Sequence, residues 1–175
     1  DSSSVSSLLS GGVSVVYSSW GAFAALKTDG SVVTWGDAEH GGDSSSVTSS
    51  LSGGVSMICS SQLYHRGTAF AALKTDGSVV TWGFFASGGD PCISEWRSMY
   101  DVRCSIDVSS SLKSGVTAIY SSSGSFAALK ADGSVVFWGM PHGLVLSWPA
   151  SNIKISAPTT NLYQLFVGEI RSKTM

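Results

Sequence analysis

The sequence predicts an all-β fold: a partial β-propeller of three antiparallel, blade-like repeats, with a β-solenoid or β-prism array as the alternative. Three observations predict it. Residues 23–36 read FAALKTDGSVVTWG, residues 70–83 repeat those letters, and residues 126–139 differ only at Ala131 and Phe137. A second motif precedes each copy: SGGVSVVYSS from Ser10, SGGVSMICSS from Ser52 and SGVTAIYSS from Ser114. Each copy also carries Asp-Gly between two apolar runs, a strong hairpin signal. Still further upstream stand DSSSVSSLL at Asp1, DSSSVTSSL at Asp43 and DVSSSL at Asp107. Self-similarity at a period of 20–50 residues indicates a solenoid, a propeller or an array.

The first strand of each unit is read at 13–17, 55–59 and 116–120, where β-branched residues dominate and argue against helix. The two runs flanking Asp29-Gly30 form the next two strands. A two-residue turn would place positive φ at Asp29 and Gly30. It would set Leu26 opposite Val33, Ala25 opposite Thr34 and Ala24 opposite Trp35. The small Ala24 then leaves room for Trp35, and the pairing recurs as Ala71 with Trp82 and Ala127 with Trp138. Val5 and Val47 are candidates for a fourth strand. Serines fall in connections and at strand edges, where hydroxyls satisfy turn backbone. Both faces of such a sheet are partly apolar, so each requires a neighbour, which is the logic of stacked blades.

These strands divide the chain into units at 1–42, 43–89 and 107–139, with an insertion at 90–106. A second, shorter insertion lengthens the loop at 62–68. The tail, 140–175, lacks the DGSVV motif. It is read either as a strand at 143–148 plus a short capping helix on Leu162, Leu165, Phe166 and Ile170, or as disordered.

The pattern Ala25-Leu26-Lys27-Thr28-Asp29-Gly30-Ser31-Val32-Val33-Thr34-Trp35-Gly36, with its two copies, resembles the repeat of the regulator-of-chromosome-condensation family. It is most similar to simplified, Ser-rich variants. The turn after Trp35-Gly36 departs from the family's x-N-x-x-G-Q-L-G, reading Asp37-Ala38-Glu39-His40-Gly41-Gly42-Asp43. The resemblance spans roughly residues 1–139. It implies a seven-bladed propeller context and a protein-binding scaffold whose specificity lies in blade loops. Family members include a small-GTPase exchange factor and ubiquitin-ligase subunits. A recognition fragment of a HECT-type ligase or of an exchange factor is therefore one alternative, and a secreted or surface structural array is another. No residue here matches the catalytic Cys module of a HECT domain.

Composition sets outer bounds. Of 175 residues, 37 are Ser and 20 are Gly, yet 43% are apolar and six are Trp, which excludes a flexible linker. A net charge of −2 excludes a generic basic nucleic-acid binder. No apolar run approaches 18 residues, so no membrane-spanning helix is read. Three blades fall short of the ~4–8 that close a propeller. The expectation is an open arc, a ring completed by self-association or by a longer chain, or a processed or partial chain, in keeping with a start at Asp1 rather than Met.

No nucleophile elbow, phosphate-binding loop, zinc-protease motif or Cys-x-x-Cys is present, so no enzyme, cofactor or metal is assigned. Asp29, Asp76 and Asp132 recur as turn formers. Asp37, Glu39, His40 and Asp43 cluster in one loop, but unit two carries Phe84, Phe85, Ala86 and Ser87 there, so no repeated metal site is read. Cys59 stands at the position of Tyr17 and Tyr120 and is read as a packed thiol. Cys92 and Cys104 are placed so that they could bridge. The binding candidates are Tyr64, His65 and Arg66 in the first insertion and Trp96, Arg97, Tyr100 and Arg103 in the second, because Trp, Tyr and Arg favour protein interfaces. The competing reading is a loop that folds back and buries Trp96. The expected partner is a protein, with no direct nucleic-acid or membrane contact.

Overall fold

A computed structural model of the chain describes residues 2–62, 67–98 and 101–140. The tail reading at 141–175 lies outside the described residues. Three antiparallel meanders follow one another. They are β1 (Val13–Ser18), β2 (Ala22–Lys27) and β3 (Val32–Gly36); then β4 (Val55–Gln62), β5 (Thr68–Lys74) and β6 (Val79–Gly83). The inserted hairpin β7 (Cys92–Ser98) and β8 (Asp101–Asp107) precedes the third meander, β9 (Val116–Ser122), β10 (Ser125–Lys130) and β11 (Val135–Gly139). Sheet orders are β1-β2-β3, β4-β5-β6 and β8-β7-β11-β10-β9. The fold is all-β and built from blade-like repeats.

The strand register differs from the sequence expectation by one residue. Leu26 pairs with Val32, Ala25 with Val33, Ala24 with Thr34 and Phe23 with Trp35. The same register places Phe70 opposite Trp82 and Phe126 opposite Trp138, so the Ala–Trp pairs at Ala71 and Ala127 are corrected too. The turn is the reason. Gly30 N–H donates to Lys27 O and Lys27 N–H to Ser31 O, which closes a three-residue connection with Gly30 at φ +79°. Gly30 is thus the left-handed bulge residue of a longer turn. Asp29 Oδ1 accepts from Ser31 N–H and from Ser31 Oγ at 2.9 and 2.7 Å. Those bonds, the Ser31 hydroxyl foremost, hold its carboxyl below the usual range. One residue of slip exchanges the faces of a strand, and here it stacks Phe23 on Trp35 at 5.3 Å between ring centroids.

Each sheet therefore has two unlike faces. One, here the small face, carries Ala22, Ala24 and Leu26 and their counterparts Ala69, Ala71 and Leu73. The other, the aromatic face, carries Phe23, Ala25 and Trp35 and their counterparts. The small face of unit one packs on Phe70, Ala72 and Trp82 of unit two. The small face of unit two packs on Phe126, Ala128 and Trp138 of unit three. The two joints are built alike. Ala supplies the flat surface that two stacked rings require, and Leu26 and Leu73 are buried at the edges.

Val5 and Val47 do not join the sheets as fourth strands. Ser3–Val5 and Ser45–Val47 are single 3-10 turns, the first running on into a four-residue helix at Ser6–Leu9. Short Ser side chains bond locally to backbone carbonyls, Ser52 Oγ to Ser49 O for example, and favour tight turns over strand. The turn at Ser45–Val47 and its counterpart at Ser109–Leu112 place Leu51 and Leu112 in the two joints, each almost fully buried.

The repeated lysine has a structural role that sequence reasoning missed. Lys74 Nζ donates to Ser50 O at 2.9 Å, Lys27 Nζ to Leu8 O at 2.8 Å and Lys130 Nζ to Ser111 O at 2.7 Å. Each ties the hairpin to the end of its own leading turn. Lys74→Met keeps the aliphatic stem and removes the donor. It is expected to cost about 1–2 kcal/mol in chemical denaturation, within the range for a charge-assisted bond at a part-buried site.

Candidate interaction surface

The 90–106 insertion is a β-hairpin. Cys92 pairs with Asp107, Ser94 with Cys104, Glu95 with Arg103 and Trp96 with Val102. A disulfide joins Cys92 to Cys104 across a Cα separation of 5.6 Å, inside the usual disulfide range. Val108 N–H donates to Pro91 O at 2.9 Å and closes the hairpin base. The hairpin attaches to the third sheet through a parallel pairing of Ile93 with Gly139, so that sheet has five strands and β8 forms its edge.

The sequence-derived candidates divide accordingly. Trp96 and Arg97 lie on β7 and Arg103 on β8, brought to one hairpin. Arg103 is exposed. Tyr100, Tyr64, His65 and Arg66 lie outside the described residues. Ile106, exposed at 42%, was not singled out from the sequence, although its place in the insertion was the signal that could have found it. Next to it, Asp107 accepts from Ser109 N–H at 2.8 Å, and that bond lowers its pKa. An open groove of ≈ 390 Å³ runs between the units beside the hairpin base, lined in part by Val47, Val80, Asp90, Pro91 and Leu112.

The clustered polar residues of the first connecting loop hold that loop together. Asp37 Oδ1 accepts from Glu39 N–H at 2.8 Å and lies 3.0 Å from His40 Nδ1, and the imidazole holds its carboxyl below the usual range. Asp43 Oδ1 accepts from Ser45 N–H at 2.8 Å. His40 O accepts from Ser19 Oγ and from Thr68 Oγ1, which links units one and two. Gly41 of this loop and Gly88 at its position in the second loop accept bonds from tryptophans. Trp82 Nε1–H donates to Gly41 O at 3.0 Å, and Trp138 Nε1–H donates to Gly88 O at 3.1 Å. The loops after Trp35-Gly36 and Trp82-Gly83 thus each latch the tryptophan of the next unit.

Cys59 is packed in the second joint, its thiol 3.6 Å from Ile119 O, and burial pushes its pKa up. A neutral, part-buried thiol is a poor nucleophile. Alkylation of the native chain is expected to spare Cys59. Peptide mapping without reductant should recover Cys92 and Cys104 as one linked pair.

No family model matches the chain, and no curated protein matches it. Solved structures do. The ectodomain of the Physcomitrella patens receptor kinase CR4 aligns with 83% of this chain at 17% identity and a TM-score of 0.42. The CRINKLY WD40 ectodomain of the Arabidopsis thaliana receptor kinase ACR4 aligns with 75% at 15% identity and a TM-score of 0.39. A structure of Kap60 bound to yeast RCC1 (Prp20) aligns with 70% at 15% identity and a TM-score of 0.40. The chain spans 32%, 40% and 28% of those chains respectively.

Proposed function

We propose that the chain is a non-catalytic, propeller-type protein-binding module of the regulator-of-chromosome-condensation kind, acting without a cofactor. Its partner is a protein, held by the β7–β8 hairpin together with residues 63–66 of the first insertion. The observation that carries this reading is the hairpin itself. It breaks the repetition, is pinned by a disulfide, and concentrates Trp96, Arg97, Tyr100 and Arg103 in a few residues. Its outer strand is a sheet edge, to which an extended peptide can add by main-chain pairing. The decisive experiment replaces residues 92–105 by a short Gly-Ser turn and tests capture of a purified partner. Binding should be lost while the circular dichroism of the repeats is retained. Unchanged binding of every partner refutes the hairpin assignment.

A second reading, a secreted or cell-surface array, is favoured by the Cys92–Cys104 disulfide, since such bonds persist in oxidising compartments. Recovery of the chain from cells with both thiols reduced would count against it. A role as the recognition arm of a ubiquitin ligase or exchange factor is decided by the open reading frame that contains the chain.

A further inference from the structure

The groove of ≈ 390 Å³ beside the hairpin base is a slot along one strand edge. Val79 to Gly83 line it as five consecutive residues, whereas a strand face would contribute only alternate ones. β6 is the last strand of its sheet, so among the described residues no strand pairs with that edge. Bonded and non-bonded pairs alternate along an antiparallel ladder. Lys74 N–H donates to Ser78 O and Phe84 N–H to Thr68 O, which makes Val80 and Trp82 the residues bonded to β5 between them. Val79, Thr81 and Gly83 therefore turn their N–H and C=O groups away from β5, toward the slot. Unit one shows the same geometry in use: Val32 N–H, at the position of Val79, donates outward to Leu51 O at 2.9 Å.

The walls of the slot are the leading turns at 45–51 and 109–112. Both are fixed. Leu51 and Leu112 are buried in the joints, and Lys74 Nζ and Lys130 Nζ hold Ser50 O and Ser111 O. The slot is thus pre-formed. In unit one the corresponding threonine is closed off, because Thr34 Oγ1 shares a 2.8 Å hydrogen bond with Ser44 Oγ. Asp107 takes the place of Asp43, each accepting from the N–H two residues ahead, so Val108 stands where Ser44 does. Thr81, which lines the slot, is left without a hydroxyl partner among the described residues. Asp90 is exposed and is the only charged residue among the described residues that line the slot.

We propose that this slot receives an extended peptide segment of a partner protein, paired main chain to main chain at Thr81 and carrying a lysine or arginine opposite Asp90. An open strand edge offers a backbone donor and acceptor to such a segment. The third sheet already accepts an extra strand at the matching edge, where β7 pairs with Gly139, the counterpart of Gly83. A carboxylate with no cation beside it in the lining selects a basic side chain. The five residues of floor span about 16 Å, the length of a short extended peptide. The slot is separate from the β7–β8 strands assigned to the partner above, so a chain with residues 92–105 replaced by a Gly-Ser turn should still bind the peptide.

The probe is a library of random peptides displayed on phage and panned on the full chain. A synthetic copy of the leading peptide is then titrated by fluorescence anisotropy against the wild type, Thr81→Pro and Asp90→Asn. Proline at 81 removes an N–H that the β5 ladder does not use, which an edge strand tolerates, and circular dichroism verifies folding. If Thr81→Pro does not fold, Asp90→Lys, at an exposed position, replaces it. Enriched peptides are expected to alternate β-branched with polar residues and to carry Lys or Arg. Affinity should fall roughly tenfold in each variant. The proposal is overturned by the absence of any enriched peptide, as when residues 141–175 of the same copy or a second copy fill the slot. It is equally overturned by enriched peptides that are acidic, by an affinity that either folded variant leaves unchanged, and by binding that requires residues 92–105.

Discussion

Trp82→Ala is expected to destabilise the chain by about 3–5 kcal/mol, and Trp35→Ala by only about 1–2 kcal/mol. The two tryptophans sit in identical fourteen-residue copies, so local sequence cannot separate them. Their surroundings do. Trp82 is 3% exposed, stacks on Phe70 at 5.3 Å, lies against the small face of unit one and donates its indole N–H to Gly41 O. Its truncation opens a cavity between two sheets and leaves a buried carbonyl without its donor, two separate penalties. Trp35 has the same ring stack but is only half-buried. It loses one aromatic contact, part of which water replaces. Chemical denaturation of both variants checks the difference. Equal losses would mean that the joint between units one and two does not form.

Gly88→Ala is expected to cost about 2–4 kcal/mol, whereas Gly133→Ala costs about 1 kcal/mol. Both glycines have positive φ, +93° and +82°, so both substitutions pay a similar backbone strain. At Gly88 the new methyl would lie 2.6 Å from Phe126 Cδ2, inside a packed aromatic stack. The same methyl would lie 3.3 Å from Trp138 Cδ1, and Trp138 is itself stacked on Phe126 at 5.2 Å, so the two rings are crowded together. At Gly133 nothing lies within 4 Å, which leaves the strain alone. The same comparison separates backbone conformation from the close approach between units. Thermal or chemical denaturation of the pair measures it.

Most of the architecture was legible because the chain states it three times. Strands β1 to β6 and β9 to β11 stand where the recurring apolar runs placed them, and Asp-Gly marked each turn. The register was not legible from that dipeptide. Gly30 serves either as the second residue of a two-residue turn or as the bulge residue of a three-residue one. The choice is made by packing, since only the second brings Phe23 onto Trp35. The leading turns were missed for a related reason. Valine among serines suits an edge strand and a 3-10 turn alike, and Leu51 and Leu112 decide it by reaching into the joints. The insertion proposed to bind a partner was legible as an interruption of the repeat, and it folds as a hairpin in the third sheet. The unlike burial of Phe23, Phe70 and Phe126 was invisible to sequence, because they are the same letter in nearly the same motif. Exposure at that position depends on the neighbour, not on the residue.

The stacking of units through the tryptophan latch is tested most directly by hydrogen exchange of the indole N–H protons, assigned by single Trp→Phe variants. The account predicts slow exchange for Trp82 and Trp138, whose N–H groups donate to Gly41 O and Gly88 O inside the joints. Exchange of either at the rate of an exposed indole would contradict it.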